Sequence, residues 1–150
     1  MIIRPATPAD YPALADLWFD SWQSIGISNE TDLDRAGVHE RFHRDAAGRW
    51  SLYTAELDGM LVGFLALVPE LSRIDQIFVA PAAKGSGVGL AMLNHAKGLM
   101  PGGMVLTTHE ANGPARAFYE SRGFVLTGTE PDPVHRRTKC HYAWRPAAPA

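Results

Sequence analysis

Lys84-Gly85-Ser86-Gly87-Val88-Gly89 follows the apolar, strand-like run Ile74 to Val79 and opens the helix-like run Leu90 to Leu99. The first N–H groups of a helix lack intrahelical acceptors and carry the positive end of the macrodipole, so such a junction can hold an anion such as a pyrophosphate. Glycine lets that ligand approach the backbone closely. The stretch is not a dinucleotide fingerprint, which needs a glycine where Leu90 stands. Nor is it a nucleoside triphosphate loop, whose Gly-Lys-Ser/Thr run is absent from the chain. Taken alone, it is a glycine-rich turn between strand and helix.

The second half of the chain adds a linked pattern. Val105-Leu106-Thr107-Thr108 is followed by Asn112, by Ala115-Arg116-Ala117-Phe118-Tyr119-Glu120, and by Gly123-Phe124. A strand entering Pro-x-x-Lys-Gly-x-Gly-Val-Gly, then a further strand, an Asn and Ala-x-x-Phe-Tyr-Glu-x-x-Gly-Phe, resembles the GCN5-related N-acetyltransferase (GNAT) family. The discriminating residues lie between Asp75 and Phe124. Where that family usually opens the loop with Arg or Gln, this chain has Lys84, which keeps a donor but loses the planar, multi-donor geometry of Arg.

The resemblance implies an α/β fold: a single domain over 1-150 with a mixed, mostly antiparallel, splayed sheet flanked by helices on both faces. It also implies acetyl-CoA as cofactor and direct transfer of the acetyl group to a primary amine, of a small molecule or of a protein or peptide, in a ternary complex. The competing reading is a non-catalytic acyl-CoA-binding sensor module.

The resemblance further implies that the backbone of Ile77, Phe78 and Val79, which match its cofactor-binding strand by position, meets the pantetheine arm and thioester, with the Val79 N–H at the thioester oxygen. Lys84, Gly85, Ser86, Gly87, Val88 and Gly89 cradle the pyrophosphate. Asn112 serves the pantetheine amides or caps a helix, and Ala117, like Ala115, keeps the cofactor's path clear by being small. Tyr119 is the expected general acid for the departing thiolate; the alternative is a tyrosine packed on the sheet with its hydroxyl bonded.

An alkyl ammonium is almost wholly protonated near neutral pH, so transfer also needs a base. Asp75 is the first choice, expected on the same strand face as Ile77 and Val79. Glu110 follows, and His109 is third; Gln76 cannot take a proton. Acceptor identity is expected from Trp18, Trp22, Asp75 and the acidic segment Asn29-Glu30-Thr31-Asp32-Leu33-Asp34, with Trp22 and Glu30 the named contacts and cationic amines the compounds such charge attracts.

At 150 residues, with 46% hydrophobic residues and a formal charge of −2, the chain has enough apolar material for one core and no basic field for nucleic acid. Cys140 is the single cysteine, which excludes an internal disulfide and a Cys-rich zinc site. His39-x-x-x-His43 has no third ligand nearby, so no metal is expected. The start lacks a leader-like apolar region and no apolar run reaches membrane-spanning length, so a cytoplasmic, membrane-free protein is expected. The oligomeric state, homodimer included, stays open.

The elements that must position these residues are legible from local signals. A strand is expected at Ile2 to Arg4, then a helix capped by Thr7 with Pro8 first, running to about Trp22 with Leu14, Leu17, Trp18 and Trp22 on its buried face. A short helix follows around Leu33 to Arg44. Trp50 to Leu57 and Met60 to Val68 form a hairpin about Asp58-Gly59. Strands at Arg73 to Val79 and Met104 to Thr108, one that begins with Phe124 to Thr127, and one at Thr138 to Arg145 alternate with helices at Val88 to Leu99 and from Pro114 to Gly123, and the tail 146–150 is expected to fray.

Overall fold

Runs of β-branched and aromatic residues separated by amphipathic stretches fold here into one sheet with helices against it. The computed structural model describes residues 1–25, 33–133 and 136–146. Its elements are β1 (Ile2–Pro5), α1 (Tyr11–Ile25), α2 (Arg35–Gly48), β2 (Ser51–Leu57), β3 (Met60–Val68), β4 (Arg73–Val79), α3 (Val88–Leu99), β5 (Met104–His109), α4 (Gly113–Ser121), β6 (Val125–Asp132) and β7 (Arg137–Trp144). Glu30, most of the acidic segment around it, and the tail beyond 146 lie outside the described residues.

The strands form a seven-stranded sheet in the order β1-β2-β3-β4-β5-β7-β6. Neighbours are antiparallel except β4 and β5, which run parallel and share a single register pair, Arg73 with Val105. Beyond that pair the two strands part, which is the splay expected of the fold.

Alternation of side chains puts a core on each face. On one face Leu65, Leu67, Ile74, Met92, Leu93, Leu106, Tyr119 and Tyr142 pack together with α3 and α4. On the other, Leu14, Trp18, Trp22, Phe42, Trp50, Phe64 and Ala66 pack with α1 and α2. The β2–β3 hairpin turns at Asp58-Gly59, both at positive φ (53° and 79°) as the dipeptide demands.

Several boundaries differ from the sequence expectation by a few residues, and three bear on the fold. Pro8–Asp10 form a 3₁₀ turn and α1 begins only at Tyr11. The second helix is displaced to Arg35–Gly48 because Asp34 is its cap, its Oδ1 accepting the Gly37 N–H at 2.8 Å. Strand β6 continues through Pro131 to Asp132 because, past an irregularity between Leu126 and Gly128, its partner β7 supplies register pairs from Gly128 with His141 as far as Asp132 with Arg137. It is an edge strand, where a proline's missing N–H breaks no ladder.

The entry to α1 is tied to the sheet edge. Arg4 donates to Asp10 Oδ2 and Oδ1 at 2.8 and 3.0 Å and to Glu56 Oε1 at 2.7 Å, while the Thr7 N–H donates to Asp10 Oδ2 at 2.8 Å. The Arg4 hydrogen bond, helped by the Thr7 N–H and opposed by burial, lowers the Asp10 carboxyl to about 2 from 3.8. A depressed carboxyl stabilises the fold fully above its unfolded value and loses that contribution as pH falls through the folded one. Asp10→Asn is therefore expected to lower Tm at neutral pH, with the deficit against wild type shrinking as pH falls from about 4 to about 2. Thermal melts of both proteins across that range check it; a deficit independent of pH would assign the effect to the lost turn alone.

Candidate active site

The loop between β4 and α3 is shaped by its glycines. Gly85 and Gly87 adopt φ of 84° and 85°, and a Cβ at either would meet no atom within 4 Å, so the loop leaves open space where a ligand could lie against the backbone. The first backbone donor of the helical ladder is the Ala91 N–H, onto the Gly87 carbonyl at 3.0 Å. The N–H groups of Val88, Gly89 and Leu90 precede it and are the unclaimed donors of the helix end. Ser86 departs from expectation: its N–H and its hydroxyl both bond the Ala83 carbonyl, and its side chain is not among the residues lining the groove.

That groove has a volume of about 760 Å³ and runs from the loop to α4. Ile77, Phe78, Val79, Lys84, Gly85, Gly87, Val88, Gly89, Asn112 and Tyr119, all expected at the cofactor, line it. Arg122, which sequence reading missed, lies there too, its guanidinium 5.6 Å from the centre of the Phe118 ring. Ala115, Phe118 and Tyr119 of α4 and Arg122 at its C-terminal cap recur at helical spacing and line the groove. Ala117 falls between them, is exposed and lies off the groove, so its expected place beside the cofactor is corrected.

A second cavity, about 340 Å³, lies between β4 and β5 where the strands part. Ile77, Phe78, Asn112, Ala115 and Tyr119 line both cavities and mark where they meet. The backbone there follows strand alternation. Ala80 donates to the Val62 carbonyl of β3 at 2.7 Å, so the groups of Phe78 pair with β3 as well, and those of Ile77 and Val79 point away from it, toward β5. The Val79 carbonyl accepts from the Ser21 hydroxyl at 3.3 Å. Phe78 therefore contributes its ring rather than its backbone.

Tyr119 is buried among the rings of Phe118, Phe124 and Tyr142, at centroid distances of 5.5, 5.7 and 6.4 Å. Its hydroxyl makes no hydrogen bond among the described residues, whereas Tyr142 accepts from Arg116 Nε at 3.0 Å and donates to Glu120. Burial pushes the Tyr119 phenol far above its ordinary value, so it stays protonated. Asn112 caps α4, its Oδ1 accepting the Ala115 N–H at 3.3 Å, which leaves its amide N–H groups.

Asp75 lines the second cavity, but not in phase with Ile77 and Val79. The register shifts between Ala66, opposite Gln76, and Leu67, opposite Ile74, so Asp75 is the extra residue of a β-bulge. Its carboxylate turns to the α1 and α2 side, where Oδ2 accepts the Trp50 indole N–H at 2.8 Å and lies 3.3 Å from Arg49. Glu110 is exposed and lines neither cavity, so its expected place beside the cleft is corrected. His109 is buried in the cleft wall with its ring 5.6 Å from Trp22, which also packs 5.7 Å from Phe78. Trp18 stays in the core, away from both cavities.

Sequence reading also missed a polar array across the floor of this cleft. Arg73 donates to Thr107 Oγ1 at 3.3 Å, Thr107 Oγ1 lies 3.0 Å from His141 Nδ1, and His141 Nε2 lies 3.0 Å from Glu130. Only cross-strand register brings these residues together: Thr107 faces His141, and β7 carries β6 alongside. No group of three or more metal-ligating side chains occurs among the described residues, and no helix there is long and apolar enough to cross a membrane.

A sheet that parts between β4 and β5, a glycine-rich strand–helix junction beside the parting and helices on both faces are the architecture of the N-acetyltransferase fold. The sequence profile of the Acetyltransferase (GNAT) family matches residues 11–124, and the chain belongs to that family, whose members are N-acetyltransferases using acetyl-CoA. It is 31% identical over 140 residues to a probable N-acetyltransferase, Rv2775, of Mycobacterium tuberculosis, covering 84% of this chain and 80% of the relative. To the peptidyl-lysine N-acetyltransferase YiaC of Escherichia coli it is 30% identical over 127 residues, covering 83% and 84%. The fold superposes on aminoglycoside 6'-N-acetyltransferase complexed with coenzyme A with a TM-score of 0.78 at 16% identity over 100% of both chains.

If the loop holds the pyrophosphate, charge placed there must repel it. Acetyl-CoA is expected to raise the Tm of the wild type by mass action and, less strongly, that of Gly87→Asn, since asparagine tolerates positive φ. Gly87→Asp, nearly identical in shape but anionic, is expected to lose the shift. A folded Asp variant shifted as much as the Asn variant would move the phosphate elsewhere.

Proposed function

We propose that the protein transfers the acetyl group of acetyl-CoA directly to a primary amine in a ternary complex, with the cofactor in the larger groove and the amine in the smaller cleft. The observation that carries this reading is that the two cavities meet at Tyr119. The groove suits the cofactor: Gly85 and Gly87 leave its backbone open, and Lys84, Arg122 and the N-terminus of α3 provide positive potential for phosphates. Bound there, acetyl-CoA supplies the acetyl group and a thiolate leaving group.

The chain's own groups then divide the work. The Val79 N–H, directed toward β5, offers a hydrogen bond to the oxygen on which negative charge grows. Tyr119, protonated and without an acceptor among the described residues, gives its proton to the departing sulfur. The Asn112 amide steadies the pantetheine arm, and Trp22, Phe78 and His109 wall the amine side. Asp75 serves as base: one carboxylate oxygen is held by Trp50 and Arg49, and Oδ1 is left to take the ammonium proton, directly or through water. A lysine side chain of a protein or peptide is the favoured acceptor, on the likeness to YiaC, with small amines the alternative.

Tyr119→Phe removes one oxygen and keeps the ring, so cofactor-induced stabilisation should persist while kcat falls roughly 10²- to 10⁴-fold. Single-turnover thiol release measures this; an unchanged chemical step would exclude the acid role. Asp75→Asn is expected to lower kcat/KM and remove its acidic limb, whereas Glu110→Gln, outside the cleft, should change neither. An intact acidic limb in Asp75→Asn would pass the base role to His109, His141 or water.

A further inference from the structure

The smaller cleft carries the opposite charge balance from the chain as a whole. Arg41, Arg49, Arg73 and Lys139 line it against two carboxylates, Asp75 and Glu130, with His109 and His141 between them, although the chain's formal charge is −2. The pairings already made leave cations in excess. Arg49 lies against Asp75 and Arg41 against Asp45 at 3.4 Å, while Glu130 is hydrogen-bonded to the His141 ring and stands opposite Lys139 in the β6–β7 ladder, one carboxylate for the two cations Arg73 and Lys139. Among the described residues Arg73 has only the neutral Thr107 hydroxyl, and Lys139 has no carboxylate within ion-pair distance. The buried indole N–H of Trp22, in the same wall, likewise has no acceptor. A plain alkyl ammonium entering this space meets like charge at short range.

Arg73 and Asp75 are two residues apart on β4, and both project to the α1 and α2 side. Arg73 stands opposite Val68 of that core, and the bulge turns Asp75 the same way. Two residues of strand rise about 7 Å, so the cleft presents an anion and a cation from neighbouring same-face positions of one strand. We propose, on the footing that this cleft is the acceptor side of the transfer, that the acceptor is an amine bearing its own carboxylate or phosphate. Its amine lies at Asp75 and its anionic group at Arg73, with Lys139 on the facing wall. The guanidinium offers a bidentate fork to such a group, and Lys139 a further charge. The anion sits either on the same small molecule or on a residue beside a peptide lysine.

Matched acceptors test this. ε-Aminocaproate and ε-aminocaproamide differ only in the carboxylate, and a lysine peptide with a neighbouring Glu differs from its Gln counterpart in the same way. By thiol release, kcat/KM for the acidic member of at least one pair is expected to exceed that of its amide by roughly tenfold or more. Preference in the first pair places the anion on the small molecule; preference confined to the second places it on the peptide. Arg73→Gln should bring the ratio close to unity, and Lys139→Gln should reduce it. Amides used as well as acids in both pairs would overturn the proposal.

Occupancy is read separately by NMR titration of the CoA-saturated protein with glutarate and with cadaverine, which have the same chain length and opposite charge. Glutarate should perturb the Arg73 Nε–H and Thr107 signals in wild type and leave Thr107 unmoved in Arg73→Gln. If it does so while no amine is acetylated, the anion site stands and the transfer reading fails; a larger response to cadaverine refutes the anion site whatever the turnover.

Discussion

Strands β4 and β5 share Arg73 with Val105 and then separate, and every feature of the site depends on that unfinished pairing. A buried strand cannot leave its backbone groups without partners at no cost, since each orphan forfeits free energy comparable to a lost hydrogen bond. In β4 the partner on one side is β3, paired across the bulge at Asp75 as far as Gly63 with Val79. On the other side the Ile77 groups and the Val79 N–H face an opening instead of a strand, while the Val79 carbonyl is taken by the Ser21 hydroxyl. An extended ligand with amide groups of its own can replace the missing neighbour, and the pantetheine arm of acetyl-CoA has that chemistry.

The two cores make the opening possible. Helices α3 and α4 clamp one face of the sheet and α1 and α2 the other, so β4 and β5 are held apart by what packs on them. Tyr119 belongs to the first core and also lines both cavities. Its ring is fixed by Phe118, Phe124 and Tyr142, which places the hydroxyl without a hydrogen bond to hold it. Tyr142, nearby, spends its hydroxyl on Arg116 and Glu120 and fixes α4 to β7. One phenol is structural and the other is left chemically available.

Much of the fold was legible locally. The Asp58-Gly59 hairpin, the strand at Arg73–Val79, the helix at Val88–Leu99 and the glycine loop all rest on interactions within a few residues, and such signals are written in consecutive positions. The extents of β6 and α2 were not, because the far end of β6 is set by its pairing with β7, and Leu33 reads as helix until Asp34 caps the next turn.

At the site the same division holds. The sequence by itself determined the family and the positions of the glycine loop and the Phe118-Tyr119 pair, since these are short motifs written in residue type and spacing. Only the tertiary structure decided that Asp75 faces Trp50 and Arg49, because one bulged residue reverses the alternation that sequence counting assumes. It likewise removed Ala117 and Glu110 from the cavities and brought Arg73, Thr107, His141 and Glu130 into one array. Charge along a chain gives no sign for a cleft: that sign is a sum over residues far apart in sequence, fixed by strand register across β4, β5, β7 and β6.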